Sequence, residues 1–111
     1  MERKSFADVV REAQEVVELC LKALLRKMGV EVPRIHDVSE VLKNEWARLP
    51  KDLQPMVEQM AAISKNMRRD RELAFYGTED LTPSEFYEEA DAKTALDGAK
   101  KVYSLCRSAF R

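Results

Sequence analysis

Residues 66–77, NMRRDRELAFYG, interleave Arg68, Arg69 and Arg71 with Asp70 and Glu72 and close on Phe75, Tyr76 and Gly77. A guanidinium is planar, permanently charged and matched to the oxygens of a phosphate. An aromatic ring close by can stack a base or present a hydroxyl. On a helix, Arg69 and Tyr76 are seven residues apart and lie about 20° from one another around the axis. Arg69, Arg71 and Tyr76 are therefore candidate ligands for the phosphate of a nucleotide or RNA. A cationic last turn is also favoured by the helix dipole without any function. The pattern alone leaves a solvated helix end and a phosphate site both open.

Other chemistry has few parts to work with. His36 is the single histidine, so neither a histidine-based metal site nor a Ser-His-Asp triad is complete. No glycine-rich phosphate loop occurs, and nothing points to a metal or another cofactor. His36 and Asp37 precede an apolar helical pattern, where a loop histidine beside an N-cap explains them, and they are weaker candidates for the site. Glu79-Asp80 and Glu88-Glu89 suit a helix start better than acid–base work. Cys20 and Cys106 fit no metal spacing; buried free thiols are expected, with a disulfide between the first and last helices as the alternative. Glu18 and Lys22 have the order of an exposed i,i+4 ion pair.

The elements that must hold these residues are helices. Three glycines and four prolines in 111 residues leave little room for turns, and charged residues reach 35%. That is one domain over residues 1–111, with a formal net charge of −1 and no global field to draw it to nucleic acid. No apolar run spans a bilayer and the N-terminus lacks a secretory pattern, so a cytoplasmic protein without membrane contact is expected.

Apolar residues from Phe6 through Val9, Val10, Ala13, Val16, Val17, Cys20, Leu21, Leu24, Leu25 and Met28 keep a three-four spacing, between a Ser5 cap and a Gly29 stop. Asp37-Val-Ser-Glu40 opens a shorter second helix that presents Val38, Val41, Leu42, Trp46 and Leu49 and ends before Pro50. A third helix runs from about Asp52 to Tyr76, with Leu53, Met56, Met60, Ile63 and Met67 inward and Gly77 beyond it. Thr82-Pro83-Ser84-Glu85 starts a fourth. This last helix carries Ala92, Ala95, Leu96, Ala99, Val102, Tyr103, Cys106, Ala109 and Phe110. Four amphipathic helices with short connections imply an all-α, antiparallel up-and-down four-helix bundle.

Three stretches, EVVELCLKALLRKMGVEVPRIHDVSEVL, RDRELAFYG and EEADAKTALDGAKKVYSL, together resemble the HEPN family of small helical bundles over nearly the whole chain. The resemblance implies a metal-independent ribonuclease, or the partner of a minimal nucleotidyltransferase in a toxin–antitoxin-like pair. It also implies a homodimer whose arginine motifs line one groove. The family motif is an arginine, four to six variable residues and a histidine, often followed two positions later by a tyrosine. Here Arg69 takes the arginine place, Tyr76 the tyrosine place and Ala74 the histidine place; Arg71 offers an alternative register. Alanine can neither accept the 2′-hydroxyl proton nor protonate a leaving oxygen.

The expected function is therefore a HEPN-type binding module with a nucleotide or RNA phosphate groove and a degenerate nuclease motif. Tyr76 is then a candidate acceptor of adenylylation by the nucleotidyltransferase. A divergent ribonuclease using Tyr76, His36 or water is one alternative, and a structural or adaptor bundle without catalysis is another.

Overall fold

The computed structural model describes residues 6–32, 37–76 and 89–110, the side chains of residues 7 and 69–76 excepted. The Ser5 cap, His36, the Gly77 stop and the Thr82-Pro83-Ser84-Glu85 start lie outside the described residues. Four α-helices form within them: α1 (Phe6–Lys27), α2 (Val38–Asn44), α3 (Val57–Tyr76) and α4 (Glu89–Ser108). No helix among the described residues is long and apolar enough to cross a membrane.

The end of α1 follows the chemistry of its sequence. Gly29 adopts φ +85°, a left-handed conformation that costs a residue with a Cβ about 1 kcal/mol or more. This turns the chain so that Val30 N donates to Leu25 O at 2.9 Å and Gly29 N to Arg26 O at 3.0 Å. Two otherwise unpaired carbonyls are thereby satisfied in a Schellman ending.

α2 ends earlier than its apolar spacing implies. After Asn44 the chain tightens into a 3₁₀ turn over Trp46–Arg48, and a second such turn spans Gln54–Met56. The Gln54 side-chain amide donates to Leu49 O at 3.0 Å and ties the two turns together. Pro55 is accommodated in the second turn, ahead of α3, where its missing N–H is harmless. The change of helical period swings Trp46 out to 51% exposure, while Leu49 remains buried.

The core is a single cluster. Leu21, Leu24, Leu25, Leu42, Met60 and Val102 are completely buried, and Val10, Val17, Leu53, Met67 and Ala99 join them. The stripes on all four helices therefore point inward as expected at their centres, and differ at their edges. Phe6, Val16, Leu96, Tyr103 and Phe110 fit the helical spacing yet are 40–50% exposed. The apolar band on α1 and α4 is wider than the arc a neighbouring helix can cover, so its margin faces out.

Directions also depart from strict alternation. Val10 shares one pocket with Asp91 and Ala95, while Lys27 Nζ lies 4.8 Å from the Phe110 ring centre. α1 and α4, which make the most extensive helix–helix contact, thus run in the same direction. α2 and α3 are antiparallel, since Glu40 pairs with Lys65 and Asp37 with Arg68. The all-α bundle is as expected; a first and last helix in opposite directions is not what forms. The reason is the stretch between Lys27 and Asp37. Its ends stand at opposite ends of the bundle, Lys27 at the C-terminal end of α1 and Asp37 at the level of Arg68. Ten residues can span up to about 33 Å, enough for that distance.

Candidate functional site

α3 is one uninterrupted helix through Tyr76, so Arg69, Arg71, Ala74 and Tyr76 all occupy its last two turns. Helical register therefore applies across the motif, and Arg69 and Tyr76 are separated by about 10 Å along the axis. Their side chains, like residue His36, lie outside the described set.

Asp37 is described, and its surroundings account for it. It is the N-cap of α2: its carboxylate accepts from Ser39 N at 2.9 Å and from the Ser39 hydroxyl at 2.8 Å. The same Oδ1 stands 3.8 Å from Arg68 Nη1, a half-exposed ion pair between the start of α2 and α3. The reciprocal half of the capping box is replaced, because Glu40 reaches across to Lys65 Nζ at 3.6 Å. Two cross-links thus fix α2 against the part of α3 that leads directly into Arg69.

Sequence reading passed over Arg68 in favour of its neighbours. The signal that distinguishes it is register: Arg68 lies one residue beyond the buried Met67 and one turn beyond Lys65, on the edge turned toward α2. The sequence brings three arginines together, and the fold assigns the first of them to holding two helices.

A pocket of about 150 Å³ opens beside the motif, between α1, α3 and α4. Val10, Ile63 and Met67 make its apolar wall; Asn66, Asp91 and Thr94 make its polar side. Thr94 Oγ1 already donates to Ala90 O at 2.9 Å. Gly98 sits at the same junction, where an added Cβ would lie 3.1 Å from both Ile63 Cγ2 and Met67 Cε. α3 and α4 approach so closely there because residue 98 has no side chain.

Cys20 and Cys106 are free thiols, as expected, and not a disulfide; the first is partly buried and the second buried. Burial pushes the Cys106 thiol up to about 12, and the neighbouring Cys20 adds to the rise. Burial raises Cys20 too. Thiolate is the reactive form, so neither cysteine is poised for nucleophilic work. No group of three metal-ligating side chains occurs among the described residues. The Glu18–Lys22 pair does not form, consistent with the few tenths of a kcal/mol that such exposed pairs are worth; Lys22 instead lines a shallow basic surface with Arg26, Val30 and Glu31.

Comparison with known proteins decides the family. The model of the HEPN domain matches residues 1–109 of the 111. The chain belongs to the HEPN family. No curated protein and no solved structure matches it. Membership agrees with the all-helical architecture and with the resemblance carried by the first helix, the His-Asp at the second and the arginine segment. It makes the chain a HEPN-type module, whose known activities centre on RNA cleavage and nucleotide chemistry.

Proposed function

We propose that this HEPN domain is a phosphate-binding module for a nucleotide or RNA, partner to a minimal nucleotidyltransferase and to a second copy of itself. Arg69 and Arg71 supply the cations, and Tyr76 positions the ligand or receives an adenylyl group from the partner enzyme. The observation that carries this reading is the continuity of α3 from Met67 to Tyr76. It keeps the arginine and tyrosine of the motif on one rigid element, with Ala74 in the place of the histidine. Rigid elements hold binding groups more precisely than loops do. The Asp37–Arg68 and Glu40–Lys65 pairs support it further, since they anchor that element just before the motif.

Loss of the imidazole separates binding from cutting. Arginine stabilises phosphate charge with any ligand, but transfer of the 2′-hydroxyl proton needs a group that titrates near neutrality. A tyrosine with its ordinary pKa of about 10 is a poor base there. The reading is tested by titrating ATP and a mixed-sequence RNA into native protein and Arg69→Ala, with cleavage followed in chelator. Native protein binds without cutting, and Arg69→Ala weakens binding roughly 10- to 100-fold, the value of one charged hydrogen bond. Metal-independent cleavage lost in the variant would make the chain a divergent ribonuclease. Equal binding, or none, by both proteins would leave an adaptor bundle. Tyr76→Phe should abolish modification by a co-expressed nucleotidyltransferase.

A further inference from the structure

α1 and α4 run in the same direction, and their contacts fix how they are aligned. Val10 shares a pocket with Ala95, Ala13 shares a groove with Ala99, and Lys27 Nζ lies 4.8 Å from the Phe110 ring centre. Cys20 stands seven residues beyond Ala13, and Cys106 seven beyond Ala99. On either helix that is about two turns, a rise of ~10.5 Å and a drift of about 20° around the axis. Parallel helices advance together, so the two cysteines meet at the seam as the two alanines do. Lys27 and Phe110 hold the helices together beyond them.

Packing agrees with this alignment. Cys106 is buried in the core, and the partly buried Cys20 packs against the same cluster. Charge on Cys20 pushes the Cys106 thiol up, so the two sulfurs are within electrostatic reach. Ala92, Ala95 and Ala99 are all buried on α4, and such small side chains favour a close approach within the usual axis separation of about 8–10 Å. With each Cα about 2.3 Å from its axis, facing residues stand roughly 4–6 Å apart. A disulfide spans Cα atoms about 4.4–6.8 Å apart.

We propose that Cys20 and Cys106 form a reversible disulfide that staples α1 to α4 under oxidising conditions, the free thiols being the reduced of two states. The oxidant is a low-molecular-weight disulfide. Cys20, the more accessible thiol, attacks it as thiolate, forms a mixed disulfide and expels one small thiolate. Cys106 then attacks the Cys20 sulfur and expels the second. The two protein thiols give up two protons and two electrons, and the small disulfide is reduced to two thiols. Burial keeps both cysteines protonated, so the staple closes slowly. Once closed, it encloses residues 20–106, with all of α2 and α3 inside the loop. Long loops are where a cross-link restricts the unfolded chain most. α3 meets α4 at Gly98, two turns before Cys106, so the proposal does not depend on any site at Arg69.

Equilibration of the full chain with mixtures of reduced and oxidised glutathione tests this, followed by alkylation, mass spectrometry and urea denaturation. Native protein loses two hydrogens, carries no glutathione and yields one linked peptide pair containing Cys20 and Cys106. Its urea midpoint rises. Folding and oxidation favour each other by one factor, so the folded chain forms the bond roughly 30- to 700-fold more readily than the chain in urea. Cys20→Ser and Cys106→Ala gain no midpoint on the same treatment. A native chain that ends with glutathione on each cysteine, or linked to another chain, overturns the proposal. So does a bond that forms equally well in folded and unfolded chains, or one that lowers the urea midpoint.

Discussion

Replacing Asp37 distinguishes a cap from a ligand. Its carboxylate accepts two hydrogen bonds from Ser39, at 2.9 Å from the backbone and 2.8 Å from the hydroxyl, and Ser39 is 1% exposed. Removing an N-cap costs about 1 kcal/mol, with a range of about 0.5–2. Here the orphaned Ser39 donors are cut off from water, which moves the cost toward the top of that range. The Arg68 pair adds less. At 3.8 Å, with side chains 39% and 26% exposed, it contributes about 0.5 kcal/mol at most. Asp37→Ala should therefore lose about 2 kcal/mol. Asp37→Asn, whose amide oxygen still accepts from Ser39, should lose about 0.5 kcal/mol. Urea denaturation of both, and of each combined with Arg68→Ala, measures the gap and the coupling. If asparagine costs as much as alanine, charge and not capping sets the stability of α2. If Asp37→Asn keeps its stability but loses nucleotide binding, Asp37 is a ligand and the capping account of it is incomplete.

Gly98→Ala should destabilise by about 0.5–1 kcal/mol even though alanine is the better helix former by about 1 kcal/mol. Its Cβ meets the branched Ile63 methyl as well as the mobile end of Met67, both at 3.1 Å, and a gain in urea midpoint would show that the junction relaxes freely. Gly29→Ala should cost about 1 kcal/mol through backbone strain alone, because the space beside it is open and only the φ of +85° resists. Cys106 predicts alkaline instability. Its folded thiol titrates at about 12 and an unfolded one near 8.5–9, so the stability it contributes is complete below the unfolded value and is lost as pH rises toward the folded one. The loss is up to about 1.4 kcal/mol per pH unit. Comparing denaturation of native protein and Cys106→Ala on either side of pH ~9 isolates it from lysine and tyrosine titration, and parallel slopes would refute it.

Much of the fold was legible because its signals were local. The Gly29 stop, the Asp37 cap and the buried centres of all four stripes each depend on a few neighbouring residues, and each forms as the pattern requires. What was illegible depends on distance. Nothing in Phe6, Val16, Leu96 or Tyr103 tells whether a neighbouring helix covers that arc; among the described residues none does. Direction is equally non-local. The periodicity counts helices, but it does not record that Lys27 and Asp37 stand at opposite ends of the bundle. Trp46 failed for a third reason: its spacing is helical, yet the helix ends two residues earlier and the period changes beneath it. At the candidate site the pairing of Arg68 with Asp37 was not legible, because it joins residues distant in sequence.

That pairing bears on chemistry. A guanidinium held by a carboxylate has its charge partly compensated and its geometry committed, so it stabilises an interface better than it recruits a phosphate. Arg68 fills that structural role, and the anchored helix continues into Arg69 and Arg71 without a break. A loop would need a ligand to order it and would give up part of the binding energy in doing so. A helix paired with its neighbour one and four residues before Arg69 loses little more on binding. On the proposed reading, the same rigidity lets the motif keep a binding use without a histidine. Cutting RNA requires proton transfer at one atom, and on the proposed reading alanine at position 74 lacks the group that would perform it. Recognising phosphate would require only preorganised positive charge, to which the continuity of α3 contributes whatever residue stands at position 74.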